Sequence, residues 1–97
     1  MIGPEHPSFS FTRESILANA PAASGVYAIY NPRVWIYVGE TGDLKARLLE
    51  HLNGDNPCIT RHAPTGFQLE LCPAQQRLAR QNAVILRLNP VCNRSLG

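Results

Sequence analysis

Four side chains in the first half of the chain have types and spacings suited to handling a phosphate. Tyr27 lies in "GVYAIY" and Tyr37 in "VWIYVG", while Arg47 and His51 stand four apart in "ETGDLKARLLEHL". A phenol can donate or accept a proton, and an arginine presents a rigid fork of donors that matches a phosphate. Imidazole can do either near neutral pH. Residues four apart on a helix are neighbours on one side, so Arg47 and His51 can act together. Each has a plainer use: strand tyrosines usually fill cores, and Arg47 can simply bridge Glu50.

Those side chains need a frame. "GVYAIY" and "VWIYVG" are apolar runs separated by "NPR", whose Asn-Pro marks a turn; they predict an antiparallel hairpin of central strands covered on both faces. With side chains alternating, Tyr27 and Ile29 share one face and Val26, Ala28 and Tyr30 the other, so Tyr27 and Tyr37 can meet if the register allows. Thr41, Gly42 and Asp43 signal a helix start, and Leu44, Leu48 and Leu52 recur at helical spacing. Thr12 and Glu14 open an earlier short helix that lasts until Pro21. Residues 1–11 are expected to form an arm.

"NGDNPCITRHAPTG" is turn-rich, an irregular loop with one helical turn near Ile59. "FQLELC" alternates as a third strand with Phe67, Leu69 and Leu71 inward. A last helix runs from Pro73 to Pro90. The expectation is one α+β domain over residues 1–97, a small three-stranded antiparallel sheet flanked by helices.

The last helix holds an anomaly. Ala74, Leu78, Gln81, Ile85 and Leu88 fall within one apolar stripe, and Gln81 lies near its centre. A buried amide is costly unless bonded, whereas a wet cleft makes it cheap.

Charge is uneven along the chain although the net is only +2. Residues 1–72 hold five basic and seven acidic side chains; residues 73–97 hold Arg77, Arg80, Arg87 and Arg94 and no acid. A one-signed segment suits either a polyanion or a solvated helix face. Cys58, Cys72 and Cys92 are odd in number with no CxxC pair; neither a disulfide framework nor a zinc knuckle is expected, which favours a reducing cytoplasm. "MIGPEHPSFSF" lacks the pattern of a secretory leader, and "VWIYV" is too short to cross a bilayer, so no membrane association is expected.

The order "GVY", "YVG", "ETGDLKARLLEH" and "NPVCN" resembles the GIY-YIG nuclease family across residues 25–93. Gly25 and Gly39 occupy the family's motif glycines. The resemblance implies a DNA endonuclease hydrolysing phosphodiesters: Tyr27 deprotonates or positions water, Tyr37 and His51 assist, and Arg47 binds the scissile phosphate. It also implies one Mg²⁺ or Mn²⁺ held by a carboxylate of the last helix. Counting back from Pro90, that carboxylate position holds Gln81, a neutral residue that should bind a hard cation weakly. An impaired nuclease and a nucleic-acid-binding module without chemistry both fit, as does a satisfied core amide; Glu40 or Glu70 could also substitute. Asn93 matches the family's terminal asparagine, which supports the site through hydrogen bonds.

Arg77 and Arg80 border Gln81 and could follow a phosphate backbone; Arg61 and His62 could reach duplex or branched DNA from their loop. The family's specificity usually comes from extra domains, so a partner protein is implied. A thiol or protein-interaction module using the three cysteines is the remaining alternative.

Overall fold

The computed structural model describes residues 2–93. Its sheet has four antiparallel strands, β1 (Phe9–Ser10), β2 (Gly25–Tyr30), β3 (Trp35–Thr41) and β4 (Gly66–Leu71), in the order β1-β4-β2-β3. The expected third strand is therefore β4, inserted beside β2, and two residues of the supposed arm supply a fourth. The hairpin is present, but only β2 is central; β3 forms an edge. Asn31 makes the hairpin turn, its Oδ1 accepting from the backbone N–H of Arg33 and Val34.

In β2–β3, Ile29 pairs with Tyr37 but Tyr30 pairs with Trp35, leaving Ile36 as a bulged extra residue. The bulge keeps Trp35 against Tyr30, with rings edge-on at 5.4 Å, while Ile36 turns into the opposite cluster.

Four helices cover the sheet: α1 (Arg13–Asn19), α2 (Leu44–Leu52), α3 (Pro57–Arg61) and α4 (Arg77–Leu88). Thr12 and Asp43 cap α1 and α2 as their types predict, each accepting from a backbone N–H in the first turn. The helical turn near Ile59 is α3, started by the Asn56 side chain and Pro57. On one sheet face Tyr27, Ile29 and Phe67 pack with Ile16, Leu44, Leu48 and Ile59 of the first three helices. On the other, Val26, Ala28 and Val38 pack with Val84 of α4 and with Ile2.

The apolar stripe needs correction. Leu78 is 61% exposed and Val84 is the buried residue of α4, so the stripe turns toward Val84, Ile85 and Leu88. Pro73 precedes a single 3-10 turn, Ala74–Gln76, and α4 proper begins at Arg77. Asn89, at φ 51°, closes it in the left-handed region before Pro90.

β4 departs similarly. Phe67 is buried, but Leu71 is 61% exposed, and the buried polar residue is Gln68. Its Oε1 accepts from Gly3 N–H at 3.0 Å, and its Nε2 donates to Gly3 O and Ser8 Oγ at 2.9 Å each. This amide pins the N-terminal segment and leaves its own polar atoms satisfied. Within residues 2–10, Ile2 and Gly3 are buried and Phe9–Ser10 pair with β4, while Pro4, Glu5, Pro7 and Ser8 are exposed, so the segment lies on the sheet, tied at both ends.

Cys58 and Cys92 are joined as a disulfide, and Cys72 is free and buried. The odd count concealed this pair because its members lie 34 residues apart; the inference of a reducing compartment loses that support. No helix among the described residues is long and apolar enough to cross a membrane.

Candidate active site

The strand period and the α2 spacing bring four predicted residues together. Tyr27 and Tyr37 lie on one sheet face with ring centroids 6.2 Å apart. His51 packs against both, at 5.5 Å and 5.3 Å. Their approach depends on Gly39: it pairs with Tyr27 across the hairpin, and a Cβ there would lie 2.4 Å from the Tyr27 hydroxyl oxygen. Any side chain would displace the phenol, so the motif glycine is needed for space.

A hydrogen-bonded chain runs through this cluster. The Tyr27 hydroxyl lies 2.7 Å from His51 Nε2, and His51 Nδ1 lies 2.8 Å from Asp55 Oδ1. A carboxylate only accepts, so Nδ1 carries the hydrogen and Nε2 accepts from Tyr27. His51 is 2% exposed; burial holds its pKa below the ordinary histidine value even though Asp55 pulls the other way. Neutral His51 is therefore placed to take the Tyr27 proton.

Burial, reinforced by Tyr37, pushes the Tyr27 phenol well above the usual tyrosine range, against the opposing pull of Arg47. The ground-state phenol keeps its proton. With its pKa raised, the phenol is poised to act by handing its proton onward to His51.

Arg47 stands beside this chain. Its Nη1 donates to Glu50 Oε1 and Asp55 Oδ2, each at 2.7 Å. The hydrogen bond to Glu50 is the main reason its pKa is raised, with Asp55 adding to it. The expected Glu50 bridge thus exists alongside the phenol cluster. Asp55 belongs to both networks. Burial opposes its ionisation, but hydrogen bonds from Arg47 and His51 hold its carboxyl below the usual aspartate value.

Asp55 was not singled out from sequence. Gly54, at φ 90°, turns the chain just after α2 and returns Asp55 to the helix, where its N–H bonds Glu50 O. The "NGD" turn signal four residues from His51 was the available clue.

The remaining predicted residues are arranged otherwise. Arg77 Nε donates to Glu40 Oε1 at 2.7 Å and Nη1 to Ser24 Oγ at 2.9 Å. Arg80 lies 3.8 Å from Glu70. These pairs occupy α4 and the sheet face opposite Tyr27. Gln81 is on the same helix, half-buried, and its Nε2 donates to Asn82 Oδ1 at 3.3 Å. The hydrogen bonds described do not join it to the phenol cluster. Arg61 is exposed at the end of α3. His62 turns inward, its Nδ1–H donating to Cys58 O at 2.9 Å. Arg94 lies outside the described residues.

Asn93 supports the site from behind. Its Oδ1 accepts from Val38 N–H at 2.8 Å and its Nδ2 donates to Val38 O at 2.9 Å. Val38 lies between Tyr37 and Gly39, so this clamp fixes the outer edge of β3 where both motif residues sit.

The model of the GIY-YIG catalytic domain matches residues 23–84. This chain belongs to the GIY-YIG family. The N-terminal endonuclease domain of UvrC from Thermotoga maritima, bound to magnesium as its catalytic divalent cation, is 26% identical with a TM-score of 0.69. The match covers 80% of this chain and 90% of that domain. An asparagine-to-alanine variant of the same domain matches at 26% identity and the same TM-score, covering 80% of this chain and 89% of its own. No curated relative matches the chain. Membership places the Tyr27–His51 cluster in a nuclease fold, and the α+β class predicted from sequence stands with one added strand.

Proposed function

We propose that this GIY-YIG chain engages DNA and that its phosphodiester hydrolysis is impaired by Gln81. The supporting observation is the combination of a proton-handling chain, Tyr27–His51–Asp55, with a neutral amide on α4. Tyr27 would accept a proton from water as its own passes to His51 Nε2, while Asp55 steadies the imidazolium that results. Arg47 would turn part of its fork from Glu50 and Asp55 to a phosphate, which supplies equivalent charge-assisted acceptors. Tyr37 confines the attacking water, and Asn93 keeps β3 in place.

The UvrC domain binds its catalytic divalent cation, so the donors of this chain bear on whether it does likewise. A Mg²⁺ or Mn²⁺ ion needs carboxylate oxygen. Gln81 offers a neutral amide, and Glu40 is held by Arg77. Glu70 has a buried oxygen without a partner, but it faces Arg80. The set does not fit a hard cation at Gln81.

Gln81→Glu tests the assignment. Nicking of plasmid or branched DNA with Mg²⁺ or Mn²⁺ should rise at least about tenfold, a barrier change of about 1.4 kcal/mol. Flat activity with no gain of metal binding would overturn the catalytic role of position 81. Cleavage that stays absent, with salt-sensitive DNA binding that Arg47→Ala weakens, would leave the second reading, a binding module. The neutrality of Gln81 favours that reading specifically, because it removes a charge that would repel DNA phosphates. A cytoplasmic setting and a specificity-giving partner protein belong to the same proposal.

A further inference from the structure

Away from the phenol cluster, Cys58 and His62 of the α3 region meet Cys92 of the segment after α4. Their ligand atoms all lie within 4.8 Å of one another. His62 Nδ1 is 4.0 Å from Cys58 Sγ and 3.8 Å from Cys92 Sγ. We propose that Cys58, His62 and Cys92 form a redox-gated site for one zinc-class ion, open as the dithiol and closed as the disulfide.

The ligand chemistry favours a borderline-soft metal. Two thiolates and an imidazole form a set that zinc takes in tetrahedral geometry, with water in the fourth position. Cys58 and His62 are one helical turn apart, so they converge without distorting the chain. Cys92 is 7% exposed, whereas Cys58 and His62 are half-buried, which leaves an approach for ion and water.

Little movement is required to open the site. Zinc–sulfur bonds near 2.3 Å put two tetrahedral sulfurs about 3.7 Å apart, against about 2 Å in a disulfide. Side-chain rotation can supply that difference. His62 must release its bond to Cys58 O and shift its proton to Nε2, freeing Nδ1 for the metal. Loading the dithiol releases two protons, one from each thiol. Closing the site with a low-molecular-weight disulfide transfers two electrons from the thiolates to that reagent. One protein disulfide and two small thiols form, two protons are taken up, and the ion leaves.

The gate also reaches the nuclease face. Cys92 directly precedes Asn93, whose amide clamps Val38 between Tyr37 and Gly39. Metal and disulfide each tie that segment to α3; the empty dithiol does not.

The test is a Co²⁺ titration of the full chain carrying Cys72→Ser, in reduced and oxidised forms. The reduced chain should show tetrahedral cobalt ligand-field bands and a sulfur-to-cobalt charge-transfer band that saturate at one ion per chain. Zn²⁺ should abolish them. The oxidised chain should show none, and a small-molecule disulfide added to the loaded protein should erase the spectrum. His62→Ala should keep some thiolate band but weaken affinity at least about tenfold. No charge-transfer band in the reduced chain, or equal binding by the oxidised one, overturns the proposal. Because both comparisons use the same sequence, they remain decisive if Cys58→Ser or Cys92→Ser fails to fold.

Discussion

Gly39→Ala is the sharpest probe of how the hairpin builds the site. The new Cβ would lie 2.4 Å from the Tyr27 hydroxyl oxygen, 2.6 Å from Cζ and 3.0 Å from Cε1. Ordinary carbon contacts are about 3.5–4.0 Å, so the ring must retreat by about 1 Å. It cannot do so freely, because Tyr27 is 1% exposed and its hydroxyl is 2.7 Å from His51 Nε2. Overpacking of this kind costs about 1–3 kcal/mol, and orphaning a buried imidazole nitrogen adds about 1–3 kcal/mol. A loss of about 2–6 kcal/mol is therefore expected, a large part of the about 5–15 kcal/mol typical of a domain.

Urea unfolding should show the midpoint falling with an unchanged slope. Tyr27→Phe removes both the closest atom and the hydrogen bond, but leaves the ring carbons in contact. Gly39→Ala should cost less in that background, with a coupling of about 1–2 kcal/mol. A cost below about 0.5 kcal/mol in the wild-type background, or strict additivity with Tyr27→Phe, would refute the claim that glycine is there to admit the phenol.

Two further outcomes follow from the same geometry. His51 has a depressed pKa in the fold, so the unfolded chain binds its proton first; stability present above about pH 6.5 should decline as pH falls below it, with a further decline below about pH 4 from Asp55. Urea midpoints measured from about pH 7.5 to 5 check this, and a flat profile over that interval contradicts the buried neutral imidazole. Asn93→Ala removes both bonds to Val38; a cost of about 1–2 kcal/mol should lower the thermal midpoint by about 4–16 °C, read by circular dichroism.

Much of this arrangement was legible because it is local. Thr12 and Asp43 announce their helices, period two puts Tyr27 opposite the face of Val26, and period 3.6 pairs Arg47 with His51. The failures involve partners distant in sequence. β1 is two residues long and exists only because Phe9 and Ser10 meet Phe67 and Gly66. Alternation turns Gln68 away from Phe67, Leu69 and Leu71, yet its amide is buried against Gly3 and Ser8. Leu78 fitted a helical stripe, but α4 rolls toward Val84, where Arg77 and Arg80 find Glu40 and Glu70. Asp55 depends on a left-handed glycine, and Cys58–Cys92 on two segments no local pattern connects. Gln81 remains the place where letters and packing part: its position follows from spacing to Pro90, while its hydrogen bond leads only to Asn82.

The Gln68 amide that fastens the N-terminal segment also dictates an order of assembly. Gly3 and Gln68 are 65 positions apart, so this segment cannot dock until β4 has been made and paired. Ile2, buried in the final core, stays uncovered during that interval, open to chaperones and to premature association. Such long-range closure slows folding relative to the hairpin and its neighbouring helix, making the segment around Gly3 among the last to settle.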